Sequence, residues 1–503
     1  MSLKLNVTVN YASQLYATLI GIVLVPLYLK YMGAEAYGLI GLFSMMQAWF
    51  NVLDLGLTPT IARESARYFG GALAPLDYRQ LVRSLHLIFL VVALAGAALL
   101  YALAPAVSQH WLHVQALPIG DVEAAVRIMA LSVAMRWMGG LYRGVITGAE
   151  QLVWLSGANA LIATLRFAAV FVSMGIWGFT PTVFFWHQFA VASIELLLLY
   201  LKMARLLPRL DGPLPPIGQS LASIRPLLRF SITIAFTSLV WVLVTQTDKL
   251  ILSGVLPLAE YGYFTMAVLV AGGITIVTGP ITTALLPRLA RLHAEGNDAE
   301  IVRLYHQFAQ LVGVVAASLM VTLAGCAESL LFAWTGSLEV THAAAPILRL
   351  YALGNGLLAL GAFPFYLQYA RGTLRYHLIG NLGLVLLLIP AIVLAASRFG
   401  GIGAGWAWLS MNAIYLFAWV AYVHSKLQPG LHLEWIGRSV LFILVPTAIV
   451  GALLTTLIAP ALENRVLALT HVAVFTAACV ITASVSSPEV RRRLRFNGRL
   501  KRA

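Results

Sequence analysis

Several basic residues of this 503-residue sequence lie within or at the ends of long apolar segments, where a charge is costly unless water or a partner reaches it. Fewer acidic residues share those segments, namely Asp54, Asp248 and Glu195. A guanidinium group offers paired N–H donors whose spacing fits phosphate oxygens. The cationic excess therefore predicts a site for an anionic substrate. The residues assigned to substrate binding are Arg136, Arg143, Arg166, Lys249, Arg349 and Arg375.

Arg136 and Arg166 form the central pair of this prediction, because both fall near the middle of adjacent apolar segments. Two guanidinium groups at similar depth repel one another unless an anion or a carboxylate lies between them. The alternative for each Arg is a structural ion pair or an interfacial position. Of Asp248 and Lys249, we expect Lys249 to be less well paired and to contact substrate, with mutual neutralisation as the alternative.

Polar residues also recur on single helical faces within the apolar segments. One such face contains four residues at steps of four, three and four, which lie on the same side of a continuous helix: Gln47, Asn51, Asp54 and Thr58. We therefore expect Asp54 to face a hydrated central cavity and not lipid. Interhelical hydrogen bonding is the alternative for the Asn and Gln residues. The other predicted cavity-lining residues are Asn10, Gln14, Thr245, Asp248, Thr275, Thr278 and Thr282.

The sequence contains no motif typical of a reacting centre: no P-loop, nucleophile elbow, HExxH motif or carboxylate cluster. The glycine run at 400–405 follows an apolar segment and not a strand, so close helix packing explains it better than nucleotide binding. Cys326 and Cys479 form no metal-ligand or redox motif. We predict that the protein is not an enzyme and has no cofactor, metal or nucleic-acid partner.

Transmembrane helices are the elements that must position these side chains. Apolar residues make up 60% of the chain and charged residues 10%, against about 25% charged in soluble domains. A helix of about 20 apolar residues crosses the bilayer core. We predict an all-α, polytopic membrane protein with about fourteen transmembrane helices, near 5–29, 38–61, 83–105, 123–146, 152–174, 180–201, 229–254, 261–286, 306–327, 343–369, 376–397, 401–424, 437–459 and 466–486.

The distribution of Lys and Arg predicts the orientation in the membrane. Alternate connections between the spans are rich in basic residues, whereas the opposite set contains only Lys30, Arg398 and Arg465. By the positive-inside rule, both termini are expected in the cytoplasm. The formal charge of +14 thus reports topology. No outer connection is long enough to hold a catalytic domain.

Short similarities between the two halves indicate a parallel repeat. Tyr37-Gly38 recurs as Tyr261-Gly262, and the segment around Asn159 recurs around Asn381 at nearly the same offset. Matching span order favours two six-helix lobes, as in repeat transporters. The predicted boundaries are an N-lobe at 1–205, a proline-rich cytoplasmic linker at 206–228, a C-lobe at 229–428, two additional helices at 429–487 and a basic tail at 488–503.

The chain resembles the Wzx-type bacterial polysaccharide flippases, whose superfamily includes multidrug extruders and the lipid II flippase. The resemblance rests on Tyr37-Gly38, on Asp54-Leu55-Gly56-Leu57 and on the segments 247–254 and 260–262. It implies movement of an undecaprenyl-diphosphate-linked oligosaccharide from the inner to the outer leaflet of a bacterial inner membrane. From the repeat we expect alternating access, with the two lobes rocking about the site, and from their depth and charge we expect Arg136 and Arg166 to carry the diphosphate. Expected partners are this substrate, membrane lipids, a coupling Na⁺ or H⁺, and a polymerase or other assembly proteins.

Two alternatives remain within the superfamily, and one lies outside it. Fourteen spans, against the twelve of many Wzx-type flippases, resemble the lipid II flippase. An organic-cation exporter would expose carboxylates in its cavity, whereas basic residues prevail here. A membrane glycosyltransferase or polymerase would have a sizeable outer loop with acidic catalytic residues, which the sequence does not contain.

Overall fold

The computed structural model describes residues 3–209, 225–283, 285–460 and 462–492. Every regular element in these ranges is a helix, with one isolated bridge between His113 and Pro257. A helix satisfies its backbone hydrogen bonds internally, as the membrane interior demands. Most of the predicted linker at 206–228 and of the tail at 488–503 lies outside the described residues.

Twelve helical segments of the described chain are long and apolar enough to cross a membrane. One of them, Arg375–Leu427, covers two predicted spans, because its backbone leaves the helical conformation at Gly400, with φ 56° and ψ −139°. The helix Pro181–Leu206 is a further predicted span that carries Glu195, Lys202 and Arg205. The predicted all-α, polytopic fold is confirmed, and these two cases explain why about fourteen spans were expected.

The first of two compact units covers Met1–Gly262. At its centre α6 packs against α3, α4, α5 and α9, and the ring of Trp137 on α6 stacks on Phe89 at 4.6 Å. The helices of this unit are α1 (Leu3–Val23), α2 (Val25–Met32), α3 (Ala34–Phe50), α4 (Leu57–Phe69), α5 (Pro75–Ala106), α6 (Ile119–Gly148), α7 (Leu152–Phe167), α8 (Val170–Trp177), α9 (Pro181–Leu206) and α10 (Arg225–Ser253); α11 (Leu258–Thr283) begins within it.

The prediction of one continuous helix over 38–61 is wrong. The α3 helix ends at Phe50, a 3₁₀ turn follows at Asn51–Asp54, and Leu55 and Gly56 are left-handed, with φ 47° and 72°. The chain then resumes as α4. The residues on both sides of the break are mostly apolar, so hydropathy did not indicate it.

The break lets α4 lie directly on a row of glycines on α6. A Cβ on Gly144 would lie 2.8 Å from the carbonyl oxygen of Thr58, and one on Gly148 would lie 2.2 Å from that of Ala62. Such distances are too short for any side chain, so only glycine permits this backbone approach. Gly140, one turn earlier, faces the Thr58 hydroxyl.

The predicted repeat motifs Tyr37-Gly38 and Tyr261-Gly262 pack against one another. A Cβ on Gly38 would lie 2.3 Å from the carbonyl oxygen of Leu258, and one on Gly262 would lie 2.5 Å from that of Ala34. The contact is reciprocal, because each glycine meets the carbonyl four residues before the other. The first turns of α3 and α11 therefore touch through their backbones.

The second compact unit covers Tyr263–Ala503. In it α13 packs against α15, α20 and α21, and α15 packs against α17. Its helices after α11 are α12 (Leu286–Ala294), α13 (Asp298–Gly325), α14 (Ala327–Thr335), α15 (Leu338–Gly361), α16 (Phe363–Ala370), α17 (Arg375–Ile414), α18 (Val420–Leu427), α19 (Leu431–Glu434), α20 (Phe442–Leu457) and α21 (Arg465–Ser486). The predicted lobe boundaries at 205, 229 and 428 remain a prediction, since a grouping by contacts does not test a repeat.

Candidate functional site

Three guanidinium groups gather within the first unit, on α6 and α7. Arg136 and Arg143 stand seven residues apart on α6, two helical turns that return to the same face. Arg166 lies near the end of α7. Glu195 on α9 is within electrostatic range of all three. The structure thus brings together three of the six basic residues that the sequence assigned to substrate binding.

Arg136 is held in place by side chains from two other helices. Its Nη1 donates to Oε1 of Gln47 on α3 at 3.1 Å, and its Nη2 donates to Oε1 of Gln188 on α9 at 2.9 Å. The guanidinium also lies over the ring of Phe43, 5.0 Å from its centroid. Its Nε has no hydrogen-bond partner among the described residues. The group is therefore oriented by neutral partners, and its positive charge is not cancelled by them.

Gln188 connects Arg136 to the end of α7. Because α7 stops at Phe167, its last carbonyls lack intrahelical partners. The Gln188 Nε2 donates to the Arg166 carbonyl at 2.8 Å, while His187 bonds that of Leu165 and Tyr28 donates to that of Phe167. Gln188 is 2% exposed, so both of its hydrogen bonds are made in the protein interior.

Arg166 is less restrained than its neighbour. Its guanidinium lies over the ring of Phe167, 5.3 Å from the centroid, and its Nε has no partner in the described part of the chain. Arg166 and Arg136 are close enough to repel one another electrostatically. A carboxylate near such a pair relieves part of that repulsion, and Glu195 is placed to do so.

Arg143 forms the ion pair of the cluster. Its Nη2 donates to Oε1 of Glu195 at 2.5 Å, and its Nη1 donates to Oδ1 of Asn159 on α7. The structural ion pair that the sequence left open for Arg143 is therefore present. We refer to Arg136, Arg143, Arg166 and Glu195 together as the arginine cluster. Counted as formal charges, the cluster carries three positive charges and one negative, a residual charge of two.

The chain belongs to a family of polysaccharide biosynthesis proteins, whose model matches residues 3–293. That is its family. Among solved structures it is similar to the lipid II flippase MurJ in an inward closed conformation, with a TM-score of 0.72 and 13% identity over 95% of this chain and 98% of that one. No protein with a curated description matches.

Two transporters share the fold as well. A multidrug resistance MATE family transporter of the MOP superfamily gives a TM-score of 0.66 at 12% identity, covering 83% of this chain and 96% of that chain. A MOP superfamily transporter from Pyrococcus furiosus gives 0.55 at 14% identity, covering 84% and 94%. The resemblance predicted from the sequence, to flippases and transporters of this superfamily, is confirmed. These structural neighbours are described as a flippase and as transporters.

Asp54 and Thr58 serve the start of α4. The Thr58 backbone N–H lies 3.2 Å from both carboxylate oxygens of Asp54, and the Thr58 hydroxyl donates to Oδ1 at 2.5 Å. A carboxylate there satisfies free N–H groups and complements the helix dipole. The break at Leu55 and Gly56 separates Thr58 from Gln47, Asn51 and Asp54, so the four residues do not share the face of one continuous helix. Gln47 joins the arginine cluster, and Asn51 is exposed.

Lys249 is paired within α10, contrary to the expectation that it would be poorly satisfied. Its Nζ donates to Oδ1 of Asp248 at 3.1 Å and to the carbonyl of Thr245 at 2.7 Å. The pair is well shielded, with 19% of the Lys249 and 3% of the Asp248 side chain exposed. The structure therefore shows the alternative that the sequence left open, in which Asp248 and Lys249 neutralise one another.

The remaining predicted residues lie apart from the arginine cluster or bond locally. Gln14 is exposed and contacts Asn10 at 3.5 Å. In the second unit Arg349 pairs with Glu328 at 2.7 Å, and Arg375 is exposed. Three threonine hydroxyls of α11 donate to carbonyls of their own helix, those of Thr275, Thr278 and Thr282. These residues remain predictions as substrate contacts.

Sequence reasoning missed Gln188 and Asn159 and gave Glu195 no role. A signal for two of them exists: Gln188 and Glu195 stand seven residues apart, as do Arg136 and Arg143. Both contacts join residues separated by 52 positions, which is the pattern of two parallel helices in register. Pairing α6 with α9 at that offset would have predicted both partners.

Proposed function

We propose that this chain is a flippase that moves an undecaprenyl-diphosphate-linked oligosaccharide from the inner to the outer leaflet of a bacterial inner membrane. The observation that carries the proposal is the residual charge of two on the arginine cluster. A diphosphate that links a prenyl chain to a sugar is a diester with two negative charges. Its binding would neutralise the cluster, and the free Nε groups of Arg136 and Arg166 would donate to its oxygens.

The family and the fold support the same substrate class. The matching family is one of polysaccharide biosynthesis, and the similar solved structure MurJ is a lipid II flippase. In the proposed mechanism the diphosphate and sugars enter the protein by alternating access, while the prenyl chain stays in membrane lipid. Outward movement of two negative charges gains about 2.3 kcal/mol per charge per 100 mV when the cell interior is negative. Coupling to Na⁺ or H⁺ would add to this driving force.

The proposal also includes a topology. By the positive-inside rule, the basic connections support cytoplasmic N- and C-termini in a multi-pass inner-membrane protein. The residues of the arginine cluster would then meet a substrate that is synthesised at the cytoplasmic leaflet. Lys249, Arg349 and Arg375 are secondary candidates for contact with it.

Flipping in proteoliposomes tests the function. Wild-type protein, Arg136→Lys, Arg166→Lys and the double Ala variant would be reconstituted with an undecaprenyl-diphosphate-linked sugar, and its outer-leaflet exposure followed with a lectin. Each charge-assisted hydrogen bond contributes about 1.5–3 kcal/mol. At about 1.4 kcal/mol per tenfold, loss of one such bond slows flipping by about ten- to a hundredfold. Lys retains the positive charge but lacks the paired N–H donors of the guanidinium, so it should slow flipping less than Ala does.

Arg127→Lys is the matched control. Arg127 lies on α6 like Arg136, but pairs with Glu123 one turn away at 2.6 Å and is 40% exposed. We expect its rate to equal that of wild type. A double Ala variant that flips the sugar lipid at the wild-type rate, at equal protein content, contradicts the proposal. Export of an organic-cation dye by the same liposomes, with no sugar-lipid flipping, would instead establish the alternative function of cation export.

A further inference from the structure

Glu195 is the less exposed partner of the ion pair within the arginine cluster. Its side chain is 10% exposed, whereas that of its partner Arg143 is 30% exposed. The Arg143 guanidinium is therefore the more accessible group of the pair. An anion that reaches Arg143 would compete with Glu195 for the same hydrogen-bond donors.

The carboxylate of Glu195 is only half satisfied. Its Oε1 accepts from Arg143, while the buried Oε2 has no hydrogen-bond partner in the ranges that the structure describes. The structural carboxylate of Glu35 is held differently, because it accepts three backbone N–H groups, those of Gln115, Ala116 and Leu117, at 2.7–2.9 Å. Glu195 thus has one side-chain donor, that of Arg143, and lies within electrostatic range of Arg166 and Arg136.

From this geometry we infer that Glu195 is an internal counter-anion, which competes with the substrate diphosphate for the guanidinium groups of the cluster and so weakens retention enough for release. The inference rests on the proposed function and concerns the same site. A site with three uncompensated arginines would hold a dianion tightly, and a transporter must also let its substrate go. Glu195 is thus a positioning residue that sets the affinity of the cluster.

The sign of the effect separates this role from a structural one. If Glu195 only stabilised the fold, Glu195→Gln would leave Arg143 misplaced and weaken anion binding. As a competitor, its removal raises the residual charge from two to three and tightens anion binding. The gain is larger for a dianion than for a monoanion, because Coulomb energy scales with the product of the charges.

Two synthetic probes that differ by one phosphate group, and hence by one negative charge, allow the test: farnesyl-diphosphate-linked glucose and farnesyl-monophosphate-linked glucose. Binding to full-length protein in nanodiscs would be followed by tryptophan fluorescence. For Glu195→Gln we expect the Kd of the diphosphate probe to fall about tenfold, with a smaller fall for the monophosphate probe. In liposomes KM should fall and the maximal flipping rate should fall with it, because release becomes limiting. Glu195→Asp, which keeps the charge, should restore both values toward wild type.

Glu64→Gln is the matched control, since Glu64 is also buried and pairs with Arg67 on α4, outside the cluster. The same change of one charge there should leave the probe affinity unaltered. A second test compares Arg143→Gln with the double variant Arg143→Gln/Glu195→Gln. In neither of them is Arg143 left buried without its partner carboxylate. We expect the single variant to bind the diphosphate probe at least tenfold more weakly than the double variant.

The outcomes distinguish this inference from the proposed function. Wild-type protein that binds neither probe contradicts the proposed function itself. Wild-type protein that binds the diphosphate probe, together with a Glu195→Gln variant whose affinity is unchanged or weaker, contradicts only the role of Glu195. A double variant that binds no better than Arg143→Gln alone contradicts that role as well.

Discussion

Gln188→Met is the substitution that best tests how the arginine cluster is organised. The change keeps the side-chain length and removes both hydrogen bonds of a residue that is 2% exposed. One is the charge-assisted bond from Arg136 at 2.9 Å, and the other is the neutral bond to the Arg166 carbonyl at 2.8 Å. The variant therefore frees the Arg136 guanidinium and unties the end of α7 at once.

The two lost bonds have different expected consequences. The bond from Arg136 contributes about 1.5–3 kcal/mol, and because it orients the guanidinium, its loss should lower kcat/KM for flipping about ten- to a hundredfold. The neutral bond contributes about 1 kcal/mol, which should appear as a lower Tm in detergent. Gln188→Glu keeps an acceptor for Arg136 and lowers the residual charge from two to one, so it should weaken dianion binding and raise KM for flipping.

Gln368→Met separates the effect on transport from the effect on stability. Gln368 is also nearly fully buried, at 1% exposure, and makes two hydrogen bonds, with the Pro364 carbonyl and the His377 backbone N–H. No arginine is involved, so Gln368→Met should have a lower Tm but should flip the sugar lipid at the wild-type rate per folded molecule. The reasoning fails if Gln188→Met, at wild-type levels in liposomes, flips the sugar lipid as fast as Gln368→Met does.

Two further predictions concern the break in the second span. Asp54→Ala removes the carboxylate that caps α4 and should lower the free energy of unfolding by about 0.5–2 kcal/mol. Asp54→Asn should lower it by less. Equal Tm values for Asp54→Ala and wild-type protein would refute the capping role. Gly148→Ala places a Cβ 2.2 Å from the Ala62 carbonyl and should cost at least about 1–3 kcal/mol, while Gly157→Ala, with open space around it, should be tolerated. Thermal unfolding followed by fluorescent size-exclusion chromatography measures both, and similar Tm values for the two glycine variants would contradict the packing argument.

The membrane-spanning helices were predictable because their signal is long and local. An uninterrupted run of about twenty apolar residues is typical of a membrane span and rare in a soluble domain. The predicted spans 376–397 and 401–424 also divide where the backbone leaves the helical conformation, at Gly400. The break after Phe50 was not found, because hydropathy is insensitive to backbone conformation. Its cause is local chemistry, a carboxylate placed to cap the next helix and a glycine that adopts φ 72°.

The partners of the charged residues were harder to predict than the charges themselves. Arg136, Arg143 and Arg166 were selected because an unpaired charge in an apolar segment is costly and therefore marks a function or a hidden partner. Their partners Gln188 and Glu195 are far away in sequence and depend on which helices are neighbours and in which register. One correct helix pair would have supplied two contacts, since a register is shared along the whole interface. Lys249 shows the converse, because its partner was adjacent and was noted as the alternative.

The reciprocal contact between Gly38 and Gly262 gives the predicted repeat a physical meaning. Each glycine approaches the carbonyl oxygen four residues before the other, so the two backbone segments are equivalent partners in one contact. A side chain at either position would separate both segments, which places the same demand for glycine on both sites. The presence of glycine at both places in one chain then follows from packing. The similarity that first indicated a repeat therefore lies where two segments of the chain constrain one another directly, while the repeat itself stays a prediction.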